Sequence, residues 1–411
     1  MLADLIPQKQ KAYRSLPILG ATLDDFDDWM IQQGYRFQTR RLYIERCTVI
    51  EQYLHQRRHS LESLTFVQLQ HCFRYFRKRA HYIASVVGCL RRFLLSRNKI
   101  VPIACSTQFD DLLASYRHYM SAVRGLAPGT LDSNSRTIIE FLHYVHRARR
   151  TFKLAHLHPH HVDRFVRSVT SRLGRASLQH VACAIRAFIR FLRLKGHMPE
   201  GPEFVIYKPR IYRGEQLPRT LPWKTVLAFL KSIDPDAGAG RRDYAMFLLI
   251  ATYGLRGCDI AGLKLDDIDW RAGVIHLRQQ KTRSPLELPL TRPVATALLA
   301  YLRKGRPRTP ERCVFLSAVA PIIPLKRQMV GYAFRHRVKA GNLKLPFKGV
   351  YCLRHSYALH LLRSGIALKT IGDLLGHTTM ESTGVYLRVH TDDLRQIALP
   401  LPAHVTGRVP S

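Results

Sequence analysis

Residues 351–362 read YCLRHSYALHLL, and residues 374–389 read LLGHTTMESTGVYLRV. In the first stretch Leu353, Tyr357, Leu361 and Leu362 recur at helical spacing, and Gly365 stops the run. Leading into the second, Ile371, Leu374 and Leu375 form another apolar stripe, closed by Gly376. The positions off these stripes carry Arg354, His355, His377 and Tyr386, a set of cations, imidazoles and a phenol. Upstream, Val274, Ile275 and Leu277 alternate, as do Leu286, Leu288 and Leu290 after the polar run QQKTRS. That alternation predicts two strands joined by a turn with Lys281 at its tip. Helical spacing returns at Trp223–Ile233 and Arg241–Leu255, so the half after residue 217 reads as mostly helix with one small hairpin.

The rest of the chain sets the setting for these stretches. A length of 411 residues implies two or three domains, each able to bury a core at 46% hydrophobic content. Lys plus Arg number 65 against 29 for Asp plus Glu, a formal net charge of +36. Such an excess repels itself unless a polyanion shares the field, which points to nucleic acid as partner. The most apolar run, Ala245–Leu255, is too short to span a bilayer, and MLADLIPQKQKAYR lacks the order of a signal peptide. Eight scattered cysteines with no CxxC pair suggest reduced thiols. The histidine-rich run His156–His161 has no second cluster to complete a metal site. The expectation from these features is a cytoplasmic, DNA-handling protein with no metal and no membrane partner.

The first two hundred residues read as almost all helical, with basic residues on the faces left free. A faint duplication runs through them. Leu64–Phe76 shares its apolar pattern with Leu157–Val169, and Leu90–Leu94 shares its own with Ile185–Ile189. Gly34 and Thr39 open one helix as Gly125 and Thr130 open another. Two helical units follow, 1–106 (its helical pattern from about 20 to 100) and 107–197. The stretch 198–222 carries five prolines and no helical period, which is linker composition. The division expected is therefore 1–106, 107–197, a linker 198–216 and a mixed domain 217–411.

There is no GxxxxGK[ST], no HExxH and no acidic metal-binding run, so ATP-driven and two-metal chemistry lack support. Four segments remain: ATYGLRGCDIAGL with Arg256, LRQQKTRSPLELPL with Lys281, and the two stretches quoted first. Together they resemble, in order and spacing, the active-site boxes of the tyrosine recombinase (phage integrase) family. Gly254-Leu255-Arg256 followed by Asp259 matches one box, LRHS with its trailing HLL a second, and LGH with Tyr386 nine residues on a third. The resemblance covers 217–400 well, the 107–197 unit moderately and the first hundred residues poorly.

Two planar guanidiniums, Arg256 and Arg354, suit the non-bridging oxygens of a phosphodiester under attack, and Asp259 could orient the first of them. The resemblance implies Lys281 as general acid for the leaving 5′-hydroxyl, with Arg283 the competitor in the same turn. It implies His377 as a donor to a phosphate oxygen, and Tyr386, within the helix after His377, as the nucleophile that forms a 3′-phosphotyrosine. His355 is structural on this resemblance. One position departs from the family's pattern: Tyr351 stands where a histidine usually precedes the second arginine. A free phenol, with pKa about 10, is a poor base at neutral pH, so the general base is left open.

The 107–197 unit resembles the family's core-binding domain, whose polar residues Thr130, Asn134 and Arg136 would face a DNA groove. Arg186, Arg190 and Arg193 would add basic contacts from a later helix. The expected activity is site-specific recombination of a mobile element, integrase- or transposase-like. It would need no cofactor, act as a synaptic tetramer on double-stranded DNA, and leave room for other recombinases of the same element. The rivals are a type IB topoisomerase and an accessory DNA-binding protein with a decayed site.

Overall fold

The computed structural model describes residues 2–100, 109–148, 154–198, 206, 209–212, 215 and 217–389. Most of the expected linker lies outside the described residues. Two compact units emerge, and the division does not follow the chain. One holds residues up to Leu61, Phe76–Phe93 and the described residues from 217 on. The other holds Glu62–Tyr75 and the described residues from Leu94 to Glu215.

The second unit is helical. Asp110–Ala122, Pro128–Ala148, Pro159–Thr170 and Arg175–Leu194 supply Tyr116, Phe141, Phe165, Phe188 and Phe191 to one core. Each such ring removed from water is worth about 2–3 kcal/mol. The same helix order precedes it in the chain, in Leu23–Gln32, Phe37–Gln56, Phe66–Arg79 and His81–Ser96. Gly34 and Gly125, both at positive φ, stand before the second helix of each set. Among the described residues the segments of the faint duplication fall on the third and fourth helices of each set; two shorter helices, Leu2–Leu5 and Gln10–Arg14, precede the first set and have no counterpart.

In the first unit a core forms around Phe229, Phe247 and Phe334, whose rings meet at 5.0–5.9 Å. These come from helices Trp223–Lys231, Gly240–Tyr253 and Arg327–Ala340. A three-stranded antiparallel sheet lies against them: β1 (Ile268–Asp269), β2 (Val274–Arg278) and β3 (Pro285–Pro289). Its register pairs Ile275 with Leu288 and Leu277 with Leu286 on the core side, and His276 with Glu287 on the exposed side. The hairpin was legible from alternation; β1, only two residues long, was not. The N-terminal helices of this unit pack Phe26 and Trp29 on Phe93. The Gln33 carbonyl accepts from the Ile322 amide at 3.1 Å. Among the described residues no helix is long and apolar enough to cross a membrane, and no cluster of three metal-ligating side chains occurs.

Candidate active site

Helix Tyr351–Arg363 carries Arg354 into the interior, 1% exposed. Its Nη1 donates to the Gly254 carbonyl at 2.6 Å and its Nη2 to the Leu375 carbonyl at 2.8 Å. Gly254 is required there: it ends helix Gly240–Tyr253 at φ +64°, and a Cβ would come within 2.7 Å of both Leu375 and Tyr357. Burial, together with the neighbouring Arg256 charge, lowers the pKa of the Arg354 guanidinium.

Arg256 caps the short helix Gly257–Gly262 and is 8% exposed. Its Nη1 donates to the Gln279 Oε1 at 2.7 Å. Gln279 opens the hairpin turn and is itself buried. It takes a second bond from the Thr282 hydroxyl at 2.8 Å and donates Nε2 to the Leu375 carbonyl at 2.9 Å. One carbonyl, at the end of helix Leu368–Leu375, therefore ties together Gln279 and Arg354. Among the described residues neither guanidinium forms an ion pair, and the Nε of each is buried without a hydrogen-bond partner.

Asp259 does not hold the Arg256 guanidinium as expected. Its carboxylate accepts from the backbone amides of Arg256 (3.4 Å) and Gln280 (2.9 Å), so it fixes the cap and the turn, not the cation. Lys281 sits exposed at the tip of the turn between β2 and β3. Its charge is among those that lower His377.

His377 follows Gly376, which is left-handed at φ +61° with the Gln279 amide where a Cβ would stand. The His377 Nδ1 lies 2.8 Å from the Thr383 hydroxyl. Burial first, then Arg354 and Arg256, hold its pKa down at about 4. Tyr386 is 1% exposed and is not in a helix: it occupies the turn between helix Met380–Gly384 and the single 3-10 turn Leu387–Val389. Gly384 and β-branched Val385 explain why the helix stops short of it. Burial pushes the phenol up to about 12 against the opposing pull of Arg354.

His355 lies directly against Tyr386. Its Nδ1 lies 3.0 Å from the Tyr386 hydroxyl, and burial with the Arg354 charge brings it down to about 4. Tyr351, 46% exposed, stands edge-on to the His355 ring at 4.7 Å between centroids. It makes no hydrogen bond to Tyr386 among the described residues. Sequence reasoning missed Gln279 altogether and did not foresee the contact between His355 and Tyr386.

In the second unit Thr130 and Arg136 are exposed, as is Arg190. Asn134 is not at a surface: it is buried, its amide 3.5 Å from the Tyr116 hydroxyl. It continues the stripe Leu131, Ile138, Phe141, Val145, so the helical period turns it inward. Arg186 is half-buried and donates to the Ile206 carbonyl at 3.3 Å, and Arg193 is half-buried.

Two unpaired buried cations, a buried phenol on an imidazole, and an exposed lysine at a hairpin tip make a site able to hold and attack a phosphodiester. These are the groups that phosphoryl transfer through a side-chain nucleophile requires. Residues 220–392 match the phage integrase family and 113–196 its N-terminal SAM-like domain. The integrase/recombinase y4rA of Sinorhizobium fredii (strain NBRC 101917 / NGR234) is 30% identical over 386 residues, 92% of this chain and 93% of that protein. Tyrosine recombinase XerD of Listeria monocytogenes serotype 4b (strain F2365) is 28% identical over 287 residues, 68% of this chain and 94% of that protein. The solved XerH site-specific recombinase bound to palindromic difH substrate, a post-cleavage complex, shares the fold. Its TM-score is 0.54 at 17% identity, over 69% of this chain and 83% of that one. This chain belongs to the phage integrase family of tyrosine recombinases, enzymes that break and rejoin DNA strands.

Proposed function

We propose that the protein is the site-specific recombinase of a mobile element and that it cleaves one DNA strand at a time through Tyr386. The Tyr386 oxygen attacks phosphorus, the 5′-oxygen leaves with a proton from Lys281, and a 3′-phosphotyrosine holds the broken end. Arg256, Arg354 and His377 hold the phosphate oxygens. Because the phosphotyrosine conserves the energy of the phosphodiester, rejoining needs neither nucleotide nor metal. Strands exchange through a Holliday junction within a tetramer. The chain acts on double-stranded DNA at the nucleoid. Residues 107–197 serve as the core-binding domain and 217–411 as the catalytic one, with 1–106 an added helical unit; the matched ranges 113–196 and 220–392 support the first two. Thr130, Arg136 and Arg190 are the proposed DNA contacts of the core-binding domain.

One observation carries the reading: Arg256 and Arg354 are buried, the Arg256 charge is near enough to help lower the Arg354 pKa, and each keeps an unmatched Nε. A buried donor left unpaired costs about 1–3 kcal/mol, which a phosphate oxygen recovers. The test is covalent capture. Full-length protein is mixed with a random-sequence pool of nicked duplexes, and protein-linked DNA is recovered and sequenced. Convergence on one site, lost in Tyr386→Phe while DNA affinity stays, is the expected result. Capture without sequence preference would favour topoisomerase-like relaxation. An adduct that survives Tyr386→Phe, or none with the native protein, would overturn the reading.

A further inference from the structure

The family's usual base position is occupied by Tyr351, which is half exposed and does not bond the nucleophile. A different side chain does. His355 extends from the start of the second turn of helix Tyr351–Arg363, one residue beyond Arg354, and its Nδ1 lies 3.0 Å from the Tyr386 oxygen. The rings are tilted by 60° with centroids 5.6 Å apart, and Tyr351 closes the other side of the imidazole edge-on. The packing therefore presents one imidazole nitrogen to the reacting oxygen.

We infer that His355 is the general base of strand cleavage, having taken over the task from the position now held by Tyr351. The inference rests on Tyr386 being the nucleophile. In the forward step the Tyr386 O–H bond breaks and its proton passes to His355 Nδ1. The phenolate oxygen bonds phosphorus, the bond from phosphorus to the 5′-oxygen breaks, and that oxygen takes a proton from Lys281. In rejoining, the 5′-hydroxyl returns its proton to Lys281 and His355 returns its own to Tyr386. The forward step requires the His355 ring to be neutral with its proton on Nε2. Burial first, then the positive field of the adjacent Arg354, favours neutrality. A phosphodiester that settles on Arg256 and Arg354 offsets that field as the phenol must lose its proton, so the imidazole gains basicity when it is needed.

The test uses full-length protein and the duplex recovered by covalent capture, nicked so that cleavage is trapped. His355→Gln keeps size and polarity but cannot accept the proton. It is expected to lose about a hundredfold or more in single-turnover cleavage, with DNA affinity unchanged. A ring-fluorinated, more acidic tyrosine installed at position 386 of the His355→Gln protein is expected to restore much of that loss. Tyr351→Phe is expected to cleave within severalfold of native. The assignment is overturned if His355→Gln cleaves normally, or if its defect persists with the acidic tyrosine, which marks a structural role. It is also overturned if the loss and rescue follow Tyr351→Phe instead. An adduct in Tyr386→Phe would remove the nucleophile itself, an outcome separable from all of these.

Discussion

Gln279→Ala should damage the active site from a residue that touches no substrate. The side chain makes three hydrogen bonds in a buried place: one received from Arg256, one received from Thr282, and one given to the Leu375 carbonyl. The bond from Arg256 is charge-assisted and worth about 1.5–3 kcal/mol; the other two are worth about 1 kcal/mol each. These contributions share groups and will not add fully, so a net loss of about 3 kcal/mol is expected. For a domain this size that lowers the melting temperature by roughly 6–12 °C. The Arg256 guanidinium, freed of its anchor, swings from its place beside Arg354. Misplacement of a phosphate-holding group costs on the order of a hundredfold in rate. The assay is trapped cleavage of the captured duplex, run well below the variant's melting temperature, with thermal unfolding in parallel. Gln279→Glu separates position from charge. A carboxylate can still hold Arg256 but neutralises it and faces the Leu375 carbonyl, so this variant should fold less stably and cleave no better than the alanine. Cleavage by Gln279→Ala within about threefold of native would refute the claim that Gln279 positions Arg256.

Three further outcomes are expected. Lys281→Ala should slow cleavage of ordinary DNA yet cleave nearly as native when the leaving 5′-oxygen is replaced by sulfur, because a thiolate departs without a proton; equal defects on both substrates would hand the role to Arg283. Gly376→Ala should cost about 1–2 kcal/mol in the left-handed backbone alone, more because its Cβ displaces the Gln279 amide, and should lower melting temperature and cleavage together. Stability should fall with acid. His355 and His377 are held at about 4 when folded against about 6.5 unfolded, so the unfolded chain binds more protons between those values and is favoured as pH drops through that window. His355→Gln should flatten the acid limb of a melting-temperature profile, and an unchanged limb would contradict the burial of that imidazole.

What the sequence made legible were groups whose chemistry and spacing are local. Arg354, His377 and Tyr386 are marked by the short runs around them, and the hairpin by strict alternation. Gln279 is marked by nothing nearby. Its importance comes from Arg256, 23 residues before it, and Leu375, 96 residues after it, and no periodicity connects such distances. His355 was read as structural because the resemblance says so, whereas its partner Tyr386 is 31 residues away across a turn. Asn134 is a different kind of miss. Its polarity suggested a surface, but Leu131, Ile138, Phe141 and Val145 already placed it on the inward face, where the phenol of Tyr116 receives its amide. The helical period outweighed residue type, and it could have been read in advance. The helix expected through Tyr386 ended early for reasons also present in the sequence, Gly384 and Val385.

The electrostatics of the site tie these residues into one device. Burying Arg354 beside Arg256 with no carboxylate in ion-pair contact costs stability, since burial and then the Arg256 charge work against the Arg354 cation and each guanidinium retains an unmet donor. The same two charges depress His377, Arg354 depresses His355, and both arginines oppose the burial that raises Tyr386. A bound phosphodiester changes all of these at once. It supplies the missing acceptors and cancels positive field, so both imidazoles become better proton carriers. It leaves the phenol dependent on a base, because the arginines then stabilise phenolate less. On the proposed roles, the resting protein holds Tyr386 protonated and unreactive, and the DNA phosphate itself completes the conditions for its deprotonation. A tyrosine that becomes a nucleophile only beside a bound backbone is protected from water and from stray electrophiles. On those roles, the acceptors that a DNA phosphate supplies offset the stability cost of the two arginines, so readiness for cleavage follows DNA binding.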